Sequence, residues 1–187
     1  KFWELTRPVP VHEELERDRK ARIRAAAADL SIVYRCAPEM AEMHAVSPTT
    51  SEECWPLFSI SFSALNVDIS SGLSRYGSWL LEQDMDWCYR EYRRRLQMLL
   101  HRDPARQLVL KCPEHLWFLD SLLEVFPDAC IVWTHREPLA CIASYCSMVS
   151  LNRRTVFGGY DGHEVGTHTT NRFHQGVTRA MAVRDRV

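Results

Sequence analysis

Lys111 and His115 stand four residues apart around Pro113, while Arg136 is followed by Pro138 and then by Ser144. A lysine supplies a mobile point charge and an arginine a rigid fork of donors, so this pair of types suits a phosphate or sulfate group. Unpaired N–H groups at a helix start just after Arg136 would add to that potential. The Ser144 hydroxyl lies two helical turns along, where it either faces the same anion or simply packs as a small residue. Arg136 in turn either reaches an anion or forms a surface pair with Glu137. His115 can act as a general base or can cap a turn. His135 alternates to the other side of its segment and reads as structural. His44, near Glu52 and Glu53, makes a metal cluster only if distant ligands join it, so no metal is expected.

These residues need elements to carry them. Residues 107–111 and 130–134 read as short buried strands, each followed by a helix, one from Pro113 to Val125 and one from Pro138 to about Ser150. Strand, helix, strand and helix with tight joints over 107–150 make a parallel β-α-β-α unit with a right-handed crossover. Ligands bind such sheets at the carboxyl ends of the strands, where Lys111, His135 and Arg136 fall. Upstream, 11–33 reads as a helix and 34–50 as loop with a short helical piece, and a further helix starts at 51–53. Residues 79–103 read as one long amphipathic helix whose Arg93, Arg94 and Arg95 form a solvated face. Residues 151–171, with four glycines, read as a long mobile loop before a last helix from about Arg172.

Composition narrows the classes. The 187 residues carry 23 Lys+Arg against 24 Asp+Glu, a net charge of -1, which argues against a broad nucleic-acid surface. Only Lys1, Lys20 and Lys111 among the basic residues are lysines. No apolar run is long enough to span a membrane. The 7 cysteines follow no zinc spacing and read as reduced, mostly buried thiols of a cytoplasmic protein. The opening at Lys1, with neither an initiator Met nor a signal sequence, reads as an interior position of something longer.

The text LVLKCPEHLWFLDSLLEVFPDACIVWTHREPLACIASYCSM resembles the core of sulfotransferases that use 3'-phosphoadenosine-5'-phosphosulfate (PAPS). The likeness is to a bacterial, largely actinobacterial branch with a lysine-x-proline-x-histidine segment. It rests on Lys111, Pro113, His115, Phe126-Pro127-Asp128-Ala129, Arg136, Pro138 and Ser144 in that order. Trp3-Glu4-Leu5, the His44 region and residues 79–99 are compatible more loosely. The resemblance implies an α/β fold, a P-loop-like three-layer domain with a parallel sheet and helix-rich additions at both ends. Residues 1–187 would form a single domain around the 107–150 core. The family's glycine- and serine/threonine-containing loop for the 5'-phosphosulfate is missing from the text and would lie upstream of Trp3-Glu4-Leu5.

The resemblance implies transfer of a sulfuryl group from PAPS to a hydroxyl or amine of a small-molecule, lipid or glycan acceptor. Arg136 and Ser144 would hold the 3'-phosphate, and Lys111 would stabilise the transferring group. His115 is the first choice as base and His44 the second. Aromatic residues near 55–65, 79–87 and 157–160 would face the acceptor, and self-association stays open. Two other classes remain: a P-loop kinase, and a non-catalytic nucleotide-binding or interaction protein derived from the same fold.

Overall fold

Every fourth residue of one early segment is buried: Asp18, Ala26 and Leu30, with Arg22 between them. That spacing is one stripe of a helix, and the computed structural model, which describes residues 1–101, 103–104 and 106–186, shows it as Leu15–Cys36. In chain order the helices are α1 (Phe2–Thr6), α2 (Leu15–Cys36), α3 (Met40–Met43), α4 (Trp55–Ser59), α5 (Leu65–Ser71), α6 (Ser74–Leu81), α7 (Asp86–Leu100), α8 (Leu119–Val125), α9 (Pro138–Phe157) and α10 (Gly162–Arg184). A 3-10 turn, Pro113–Leu116, precedes α8. The chain divides into two compact units, Lys1–Phe62 with Arg90–Pro113, and Ser63–Tyr89 with Glu114–Val187.

In the first unit α2 starts at Leu15, not at Val11. The buried Asp18 carboxylate accepts from the N–H groups of Val11 (2.6 Å) and His12 (3.2 Å), which folds those residues back as a lead-in turn. One turn on, Arg22 pairs with Asp18 at 3.0 Å, donates to the Arg7 carbonyl and lies over the Trp3 ring. A buried charge pair is thereby compensated on both sides. Further on, Phe58 stacks on Tyr92 with ring centroids 4.6 Å apart. Arg95 donates to the Leu57 carbonyl and the Ser61 hydroxyl, so this member of the arginine triplet is a packing residue, while Arg93 and Arg94 are exposed as expected.

The second unit is organised around Asp68 on α5, which is 0% exposed. Its carboxylate accepts from Arg172 Nε at 2.7 Å and from His168 Nε2 at 3.0 Å, both on α10. Arg172 continues to the Ser74 carbonyl and Ser78 hydroxyl, while Trp117 Nε1 donates to the Arg172 carbonyl. α6 passes so close that a Cβ on Gly77 would sit 2.0 Å from Asp68 Oδ2. Arg153 of α9 donates to the carbonyls of Ile69 and Ser70 and pairs with Glu164.

Several expected elements differ. The long helix over 79–103 is two, α6 and α7, because Asp84 Oδ1 accepts from Asp86 N–H (2.8 Å) and starts a new helix. The helix over Pro113–Val125 is likewise split into the 3-10 turn and α8. The long loop at 151–171 is not a loop. Helix α9 runs on to Phe157, Gly158 closes it in the left-handed region (φ 80), and Asp161 caps α10 through the N–H groups of His163 and Glu164. Two well-capped ends bring the helices within a short turn, so the glycines mark a joint.

The two expected strands are the main correction. Neither 107–111 nor 130–134 is a strand, and no strand occurs among the described residues. Val109 is 96% exposed and Val132 87%, so no neighbouring layer covers them. Strand propensity reflects packing and ladder bonds to neighbouring strands, and an apolar run without such neighbours has nothing to stabilise the ladder. None of the cysteines is in a disulfide, but only Cys54, Cys88 and Cys112 are buried, while Cys36 and Cys130 are exposed. Among the described residues, no helix is long and apolar enough to cross a membrane.

Candidate functional site

Lys111 lies in the first unit, fixed by its own backbone. Its carbonyl accepts from Cys54 N–H at 3.0 Å and from Cys54 Sγ at 3.1 Å, which lays 52–54 alongside it. The Lys111 ammonium donates to Glu53 Oε1 at 2.5 Å. That bond, reinforced by the charges of Glu53 and Glu52, holds the ammonium above its ordinary lysine value against the opposing effect of burial.

The preceding residue serves His44. Glu52 Oε2 lies 3.1 Å from His44 Nε2, and Glu52 Oε1 accepts from Glu53 N–H at 2.8 Å. The Glu52 side chain is only 8% exposed while that of His44 is 47% exposed, so a buried carboxylate orients an accessible ring. His44 terminates α3, and two residues on Tyr34 Oη donates to the Val46 carbonyl and accepts from its N–H. Consecutive carboxylates, Glu52 and Glu53, thus hold two of the candidate residues, His44 and Lys111. Among the described residues no group of histidines, cysteines and carboxylates is arranged to hold a metal ion.

In the second unit Glu114 is buried and accepts from the N–H groups of Leu65 (3.0 Å) and Asn66 (2.6 Å), capping α5 from outside the helix. His115, anchored beside it, has its Nδ1 2.9 Å from the hydroxyl of the fully buried Tyr89. Near by, Tyr76 donates to the Ala64 carbonyl, and its hydroxyl is pushed up to about 12 by burial and by the charges of Glu114, Asp68 and Cys88.

Arg136 and Ser144 are both exposed. The Glu137 carboxylate accepts from Leu139 N–H (3.0 Å) and Ala140 N–H (2.6 Å) as the cap of α9. Glu137 therefore serves the helix rather than Arg136, and the helix start is not a set of unpaired donors. Anion binding here has to rest on Arg136 and Ser144 themselves. His135 stacks on Trp133 at 5.1 Å, in keeping with a structural role. Of the aromatic residues set aside for an acceptor, Trp79 stands half exposed over a shallow hollow of about 350 Å³ with Ser74, Arg75, Ser78 and Glu82. Phe157 and Tyr160 are also exposed.

Sequence reasoning passed over Tyr89, Glu114 and the divided roles of Glu52 and Glu53. The acidic pair, eight residues after His44, was a visible signal. Glu114 was not, because its contacts on α5 lie 48 and 49 residues away in the chain.

No curated protein matches the chain. A solved structure, sulfotransferase STF1 from Mycobacterium tuberculosis H37Rv in its type1 form, is similar at 28% identity with a TM-score of 0.84. The likeness covers 100% of this chain and 51% of that one, so the chain spans about half the length of the protein it matches. The family profile described as "Sulfotransferase family" matches residues 2–187. On that match over nearly the whole chain, the chain belongs to the sulfotransferase family.

Proposed function

We propose that the protein transfers a sulfuryl group from PAPS to a hydroxyl or amine of a small-molecule, lipid or glycan acceptor. The observation that carries this reading is Arg136: its expected ion partner is engaged as a helix cap, which keeps an exposed guanidinium available, in a chain whose whole length matches the family. Arg136 and Ser144 are donors of the kinds that suit the 3'-phosphate, a fork and a hydroxyl. PAPS supplies the reactive sulfuryl group. Lys111 supplies positive charge to the oxygens on which charge builds during transfer, electrostatic help of the kind that dominates such reactions. His115 and His44 are the two groups able to take the acceptor's proton. The P-loop-like fold belongs to this reading through the family likeness, without 107–111 and 130–134 as strands, and thiols outside disulfides suit a cytoplasmic setting.

Calorimetric titration of adenosine 3',5'-bisphosphate into the full-length protein without Mg2+ tests the reading. Micromolar binding is expected. Absence of binding beside tight ATP–Mg2+ binding would replace it with a P-loop kinase, and absence of both would favour a non-catalytic protein.

A further inference from the structure

Two consecutive carboxylates of the first unit are aimed at two different groups, and one of them holds a ring that solvent reaches. His44 directs Nε2 at Glu52 Oε2, 3.1 Å away, while the other Glu52 oxygen accepts from Glu53 N–H at 2.8 Å. The carboxylate is nearly buried and the ring half exposed. An ionised carboxylate only accepts, so Nε2 carries the proton of the neutral ring and the lone pair is on Nδ1. Among the described residues no hydrogen bond engages that lone pair.

The chain that carries this pair is fastened along its length. Tyr34 Oη donates to the Val46 carbonyl and accepts from the Val46 N–H. The carbonyls of Pro48 and Thr50 accept from the N–H groups of Trp3 (3.0 Å) and Phe2 (2.9 Å), and Cys54 N–H donates to the Lys111 carbonyl. The ring is therefore placed when the unit folds, not at the moment of reaction, which is what a positioned base requires. The same acidic pair serves Lys111. Glu53 Oε1 accepts from its ammonium at 2.5 Å, and the charge of Glu52 acts on that ammonium as well. An accessible lone pair and the cation assigned to the transferring group are thus supported from adjacent backbone positions.

We infer that His44 is the base of the sulfuryl transfer and that Glu52 is its positioning residue, fixing the tautomer in which Nδ1 takes the proton. This assignment rests on the proposed sulfuryl transfer. A carboxylate on the far nitrogen of an imidazole base sets its tautomer and stabilises the cation it becomes. In the step itself the acceptor oxygen forms a bond to sulfur as the bond from sulfur to the 5'-phosphate oxygen breaks. The electron pair leaves with adenosine 3',5'-bisphosphate, and the acceptor's proton passes to His44 Nδ1.

Glu52 satisfies two donors with two oxygens, and a glutamine has only one. In Glu52→Gln the backbone N–H of Glu53 keeps the amide oxygen, so the NH2 group turns to His44 and the ring meets it with a lone pair on Nε2. The proton then moves to Nδ1, and the base becomes a donor. The test uses the full-length protein labelled with 15N-histidine, read by long-range 1H–15N correlation at about pH 8.5, above the ordinary histidine value. His44→Gln identifies the signals. A proton on Nε2 in the wild type and on Nδ1 in Glu52→Gln is expected. A proton on Nδ1 in the wild type overturns the assignment even if Glu52→Gln does not fold, and one tautomer shared by both proteins overturns the role of Glu52.

Release of adenosine 3',5'-bisphosphate from PAPS, with 2-naphthol or water as acceptor, is the second readout. His44→Ala and Glu52→Gln should each lose about 10²–10⁴-fold in kcat with the KM for PAPS kept. The double variant should lose no more than His44→Ala alone, because the two residues act as one unit. Wild-type turnover in His44→Ala overturns the assignment and leaves the pair a structural contact. Failure of adenosine 3',5'-bisphosphate to bind in the calorimetric titration removes the sulfuryl-transfer reading itself, whatever the tautomers.

Discussion

The Lys111 ammonium donates to the Glu53 carboxylate at 2.5 Å, so the charge assigned to the transferring group is already shared with an acid of its own chain. An incoming anion must compete with that acid. Glu53→Gln should therefore tighten adenosine 3',5'-bisphosphate binding by up to about fivefold, the scale of an exposed ion pair, and calorimetry at low and high salt checks it. Unchanged affinity would separate Lys111 from the anion. The pairing also makes a small pH-dependent contribution to stability. Because the folded ammonium titrates above the unfolded one, that contribution is complete below the ordinary lysine value and is lost as pH rises through the folded value.

Among the described residues Arg136 makes no ion pair, and Glu137 beside it is engaged with α9. Arg136→Ala should weaken nucleotide binding by about 2–4 kcal/mol, through loss of a charge-assisted fork. Arg136→Lys should restore only part of it, because an ammonium cannot make the bidentate contact. Ser144→Ala should cost about 1 kcal/mol. Equal affinity of wild type and Arg136→Ala in the same titration would rule out this anion site.

Asp68 makes a prediction about folding rather than binding. Asp68→Asn leaves Arg172 buried against a neutral group, and about 3–5 kcal/mol should be lost in urea unfolding. Gly77→Ala should also lower the midpoint, because its Cβ would meet Asp68 Oδ2 at 2.0 Å with the helices already packed. A midpoint unchanged in either variant would mean that this network is not what holds the second unit.

Asp18 governs acid behaviour in the first unit. Burial alone would raise its carboxyl, but the hydrogen bonds from Val11, Arg22 and His12 outweigh it and hold the group below the ordinary aspartate value. The resulting stability is present above the unfolded value and is lost as pH falls through the folded one. Asp18→Asn should remove part of the difference in unfolding free energy between pH 7 and pH 3. If the variant keeps the wild-type pH dependence, the acid sensitivity lies elsewhere.

Much of the helical layout could be read without coordinates. A helix over most of α2 was legible from its acidic first turn and alanine run, although both ends were misplaced, and Pro138 announced the start of α9. The loop expected at 151–171 shows the limit of local reading. Glycines lower helix propensity by only about 1 kcal/mol each, and a left-handed cap at Gly158 followed by the Asp161 cap outweighs that. The strands were misjudged for a different reason: apolar runs around Val109 and Val132 become strands only when neighbours supply a ladder.

From the sequence alone came the residues able to do the chemistry and the family resemblance they carry, because these depend on residue type and on order along the chain. Which nitrogen of His44 meets Glu52, and that Glu53 meets Lys111 while Glu137 turns away from Arg136, was decided only by tertiary structure. Those are questions of a few tenths of a nanometre between groups as far as 58 residues apart, and local sequence carries no record of such distances.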